Sequence, residues 1–101
     1  MNAPRERYLC VCEQGDNRSV HLAYLLKKEG KEAIAIGIRD TQEESFKILQ
    51  EWADRVIILD KELINNIPKC YKNEVIDIGK DIYPRPLNID LLNILKEKMK
   101  I

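Results

Sequence analysis

Four short apolar runs, none with regular polar alternation, constrain this chain most. They are Tyr8–Cys12, Ala33–Ile38, Val56–Leu59 and Val75–Ile78, the last broken only by Asp77. A strand with one wet face alternates apolar and polar residues, whereas a strand covered on both faces reads as a continuous apolar run. Between the runs lie segments with helical spacing. Ser19, Leu22, Ala23 and Leu26 fall on one face, and Gly30 stops that helix. Thr41 and Glu44 have the Thr-x-x-Glu spacing of a capping box and open a helix that carries Phe46, Leu49 and Ala53 inward. A short helical piece from about Lys61 to Asn66 and a loop around Pro68 lead into the fourth run. Gly79 to Pro86 reads as a loop, and Asn88 caps a last helix bearing Leu91, Leu92, Leu95 and Met99. The pattern predicts an α/β fold: an open four-stranded parallel sheet, order 2-1-3-4, with helices on both faces. In that order the winding reverses beside the first strand, and ligands bind beyond the carboxyl ends of the strands at such a point.

The 101 residues suit one domain spanning 1–101, with residues 1–6 as a polar, flexible tail. Lys plus Arg and Asp plus Glu both number 17, so no field of one sign recruits nucleic acid or an anionic membrane. No run is long enough to cross a bilayer, and Met1 to Arg7 lacks the apolar centre of a secretory signal. The expected location is the cytosol. Cys10, Cys12 and Cys70 are an odd set without Cys-x-x-Cys spacing, which argues for free thiols rather than a disulfide framework or a zinc site.

The first run ends at Cys12, and Glu13-Gln-Gly-Asp-Asn-Arg18-Ser19 carries the chain into its first helix. A thiol and a guanidinium held that close, in a loop feeding a helix, make a site for an oxyanion and a covalent intermediate. A cation is disfavoured in the first turn of a helix unless an anion is present, which sets Arg18 apart from an ordinary surface charge.

This stretch resembles the phosphate loop of the low-molecular-weight protein tyrosine phosphatases, which carry Cys-x5-Arg-Ser after their first strand. They also have an aspartate followed two residues later by a tyrosine before the last helix, where this chain has Asp81-Ile-Tyr83. The similarity spans nearly the whole chain, shortened here between strands. It implies a hydrolase that cleaves a phosphomonoester, most directly phosphotyrosine, through a phosphocysteine on Cys12. Backbone N–H groups from Glu13 through Asn17 would cradle phosphate oxygens, and the helix field favours the Cys12 thiolate. Arg18 would bind two equatorial oxygens with its planar fork. By resemblance, Ser19 would hydrogen-bond the thiolate, and Asp81 would protonate the leaving phenolate and then take a proton from the attacking water. The implied partner is a phosphorylated protein or small phosphomonoester, with no metal or other cofactor.

The chain departs from the family pattern at Gln14 and Gly15, where a glycine and an asparagine are usual; Gly15 can supply the left-handed turn instead. Glu13 and Asp16 would cost affinity if they faced a bound dianion, but a loop that binds through its backbone leaves them free to face outward. Plainer readings stand beside these. Cys12 could end a strand as a small buried residue. Asp81 could be a turn former, with Asp77 as rival acid, and Tyr83 either walls an aromatic pocket or covers the core edge. Trp52 and Cys10 read as core, Cys70 as a loop thiol, and His21 as a surface residue or one sitting behind the site. Two other functions fit the loop: a phosphocysteine carrier resembling the IIB domains of sugar phosphotransferase systems, and a non-catalytic oxyanion or phosphoprotein binder. An arsenate reductase would need a resolving cysteine, which the sequence does not clearly offer.

Overall fold

A computed structural model describes residues 5–101. Most of the expected tail, residues 1–4, lies outside them. Glu6 already belongs to the sheet margin, since its carbonyl accepts from Glu32 N at 2.9 Å and its carboxylate from the Tyr8 hydroxyl at 2.8 Å. The elements are β1 (Arg7–Cys12), α1 (Arg18–Lys28), β2 (Glu32–Gly37), α2 (Glu43–Trp52), β3 (Arg55–Ile58), a 3-10 helix (Lys61–Asn66), β4 (Asn73–Val75) and α3 (Ile89–Met99).

The four strands form one parallel sheet in the order β2-β1-β3-β4. β1 is central, pairing Cys12 with Gly37 on one side and Val11 with Ile58 on the other. Its continuous apolar run is used on both faces, as side chains alternate across a strand. Tyr8 and Cys10 join Ile57, Leu22, Leu26, Leu91 and Leu95 in the core beneath α1 and α3. Leu9 and Val11 join Val56, Ile58, Phe46 and Leu63 beneath α2 and the 3-10 helix. Trp52 is partly buried against that second core, with the Arg7 guanidinium 5.8 Å from its ring. Among the described residues no helix is long and apolar enough to cross a membrane.

Two local expectations are corrected. The Thr41–Glu44 capping box does not form. Gln42 is the N-cap of α2, in an extended conformation and with no side-chain cap, so Thr41 stands one residue too early. Glu43 and Glu44 face the positive helix end instead. The fourth strand is regular at Asn73–Val75 rather than Val75–Ile78. Hydrogen bonds from Ile76 N to Ile58 O and from Ile78 N to Leu59 O still lay the apolar stretch alongside β3. β4 lies at the sheet edge, where polar residues serve, and Glu74 is held by Arg55 through two bonds of 2.8 Å. Asn88 does cap α3, accepting from Leu91 N at 3.0 Å.

Candidate active site

The site is assembled where β1 and β3, neighbours in the sheet, reach their carboxyl ends. Cys12 is the last residue of β1 and is only 2 % exposed. The chain then folds back over the end of β2. Gly15 has φ +75°, and a Cβ there would stand 2.3 Å from Gly37 N, while one on Gly37 would stand 2.2 Å from the Gln14 carbonyl carbon. Neither position tolerates a side chain without moving backbone, so the two glycines together set the loop's path. That path turns the Gly15 N–H onto Cys12 Sγ at 3.2 Å. The thiol and the Ser19 hydroxyl are hydrogen-bonded at 3.1 Å, the contact the resemblance implies.

Arg18 opens α1 and is 2 % exposed. Its Nη1 donates to Asp60 Oδ2 at 3.1 Å and to the Gly79 carbonyl. Nε is buried with no partner, and among the described residues the Nε–Nη2 edge makes no hydrogen bond. That edge is the side of a guanidinium that grips an oxyanion with two parallel bonds. Asp60 also caps the 3-10 helix, accepting from Glu62 N at 3.0 Å through its other oxygen. A cleft of about 470 Å³ opens here, lined by Glu13, Gln14, Arg18, Asp60, Lys80 and Asp81 with the start of the 3-10 helix. Cys12 does not line it, although its chain neighbours do.

The remaining loop side chains find tertiary partners. Glu13 lies 2.9 Å from Arg39 Nη2, and Asp16 lies 2.8 Å from Arg85 Nη2. Asp16 is not among the residues lining the cleft, and Glu13 borders it with its charge offset by Arg39. Asn17 leaves α1 uncapped by its side chain and donates instead to Asp81 Oδ1 at 2.7 Å and to the Tyr83 carbonyl at 2.8 Å. Its Oδ1 is buried without a partner. Asp81 therefore sits at the cleft with Oδ1 engaged and Oδ2 unbonded among the described residues. Tyr83 packs its ring against the α1–α3 core and does not line the cleft. Asp77, the rival acid, accepts from Lys61 N and Gly79 N, which hold its carboxyl below the usual carboxylate range.

Cys10 is fully buried, and burial pushes its thiol up to about 12, which keeps it uncharged core. Cys70 is a partly exposed free thiol. His21 sits behind the site rather than at the surface: it is 4 % exposed and bonded at both ring nitrogens.

Sequence reasoning missed Asp60, Gly37, Arg39 and Arg85. Asp60 did carry a signal. It follows Val56–Leu59 directly, at the carboxyl end of the strand next to the first, where an open parallel sheet collects its polar site residues. The arginines carried none, because exposed cations in loops are ordinary.

Fold and site together define an open parallel α/β domain with a cysteine–arginine loop at the point where its winding reverses. Comparison with protein-family models, with curated proteins and with solved structures returned no match to this chain.

Proposed function

We propose that the chain is a cysteine-dependent phosphomonoesterase, acting most directly on phosphotyrosine or a related aryl phosphate. The observation that carries the reading is the set of groups on the loop that joins β1 to α1, beside the cleft. A buried thiol receives a backbone N–H and touches a hydroxyl, and the next side chain into α1 is an arginine with its two-pronged edge unused. In the first step Cys12 Sγ attacks phosphorus, the S–P bond forms and the ester P–O bond breaks. Protonated Asp81 passes its proton from Oδ2 to the leaving oxygen. Water then attacks phosphorus, Asp81 takes its proton, and the S–P bond breaks to release inorganic phosphate. Arg18 stabilises the equatorial oxygens in both steps, and Asp60 fixes the guanidinium plane. Ser19 donates to the sulfur as it leaves.

Turnover of p-nitrophenyl phosphate tests this. The wild type is expected to be active, Cys12→Ser inactive, and Arg18→Ala slowed by about 10²–10³-fold. Wild-type activity equal to that of Cys12→Ser would sink the reading. A second reading, a non-catalytic oxyanion or phosphoprotein binder, draws on one observation, the absence of Cys12 from the cleft lining. Phosphate binding that survives Cys12→Ala, with no ester turned over by the wild type, would favour it.

A further inference from the structure

We infer that His21 is a positioning residue that sets where Asp81 stands over the cysteine loop. The inference rests on the phosphatase reading for its kinetic consequence and on the structure for its geometry. His21 lies one turn into α1 and is 4 % exposed. Its Nε2 lies 3.0 Å from Asn88 N, and a backbone N–H only donates, so Nε2 accepts. Nδ1 therefore carries the ring hydrogen and donates it to the Asn17 carbonyl at 2.8 Å. The imidazole thus bridges the residue before Arg18 to the residue that caps α3.

Those two residues are the anchors of the loop 79–88. Asn17 holds its near part through Asp81 Oδ1 and the Tyr83 carbonyl. Asn88 holds its far end, accepting from Leu91 N and donating from Nδ2 to the Pro84 carbonyl at 3.3 Å. Arg85, between them, pairs with Asp16 of the cysteine loop. Among the described residues only His21 bonds to both anchors, so removing one ring nitrogen breaks the direct link between them. Asp81 has no bond to the sheet of its own among the described residues; its carboxylate is placed by Asn17, and the Asn17 carbonyl is held by His21 through both the backbone N–H at 2.9 Å and Nδ1 at 2.8 Å.

Asparagine keeps a donor near the Nδ1 position and loses the Nε2 acceptor, whereas glutamine keeps an acceptor near Nε2. His21→Asn is expected to slow hydrolysis of phenyl phosphate, whose leaving group needs a proton, by at least about 10-fold in kcat/KM, which reports the steps up to departure of the leaving group. It leaves 2,4-dinitrophenyl phosphate, whose leaving group needs none, within about 2-fold. Asp81→Asn reproduces that split, and His21→Gln, which loses the Nδ1 donor to Asn17, shows it as well. Equal loss on both esters, or no loss on either, overturns the proposal. Amide hydrogen exchange gives a readout independent of turnover: the Asn88 amide exchanges at least about 10-fold faster in His21→Asn than in His21→Gln or wild type. Unchanged Asn88 exchange in folded His21→Asn overturns the proposal whatever the activity. An inactive wild type with the expected exchange pattern sinks the phosphatase reading and leaves the bridge standing.

Discussion

A guanidinium as deeply buried as that of Arg18 loses several kcal/mol of hydration, which only a well-placed partner returns. Asp60 and the Gly79 carbonyl are those partners. Truncating Asp60 leaves the cation uncompensated, so Asp60→Ala is expected to lower stability by about 3–5 kcal/mol in urea unfolding. Adding Arg18→Met to Asp60→Ala removes the orphaned charge and should recover much of the loss; no recovery would mean that Asp60 acts mainly as the 3-10 cap. At this scale the sequence was informative wherever the partners are close in the chain. Cys12 and Ser19 lie within one loop, and their contact is the one the resemblance implied, whereas the Gly15 N–H bond to the thiol was not read. Asp60 stands 42 residues from Arg18, and spacing says nothing about such a pair. The pairing of Glu13 and Asp16 was equally hidden, because Arg39 and Arg85 arrive from other loops.

Elements show the same division between what is local and what is not. β1 and β3 were legible because each is pressed between two cores, and burial on both faces writes itself as an apolar run, while β2 at one edge, with Ile34 37 % exposed, kept its apolar run without that demand. β4, at the edge, is under no such demand, so its polar Asn73 and Glu74 concealed it. Helix α2 was found from its apolar face, but its ends were not. No side chain caps its start, and its C-terminal carbonyls are gripped by Lys72, which donates to Gln50 O at 3.0 Å, Glu51 O at 3.1 Å and Ala53 O at 2.7 Å. An ammonium on the negative end of a helix stabilises it by up to about 2 kcal/mol when partly buried. Lys72→Met keeps the aliphatic stem and removes the three bonds. It is expected to cost about 1–2 kcal/mol and to raise amide exchange selectively in the last turn of α2. Exchange that rises uniformly across the molecule would argue against a local clamp.

For the whole molecule, the expected strand order 2-1-3-4 is the one observed, and in that order the winding reverses beside β1, where the candidate site lies. The same fold has a defined response to acid. Backbone N–H groups of Lys61 and Gly79 hold the Asp77 carboxyl low, Arg55 holds Glu74 low, and Arg7 holds Asp54 low. Each is more easily protonated in the unfolded chain, so the unfolded state binds more protons around pH 4 and stability rises with pH there. The contribution is complete above the ordinary carboxylate values of about 3.9–4.3 and fades as the pH falls through the lower folded values. The urea midpoint is expected to be flat from about pH 5 to 7 and to drop below about pH 4, less steeply in Glu74→Gln. A midpoint that climbs below pH 4 would contradict this.

The central place of β1 has one more consequence, for the order in which the molecule is made. Both neighbours of β1 lie later in the chain, and the second of them ends at Ile58. On a ribosome the first strand therefore keeps one edge open until Ile58 has been added to the chain. Cys10 lies on that strand. The Cys10 thiol, sealed in the finished sheet, passes through synthesis open to oxidants, and a chemical insult to it at that stage would be locked in once β2 and β3 close around it.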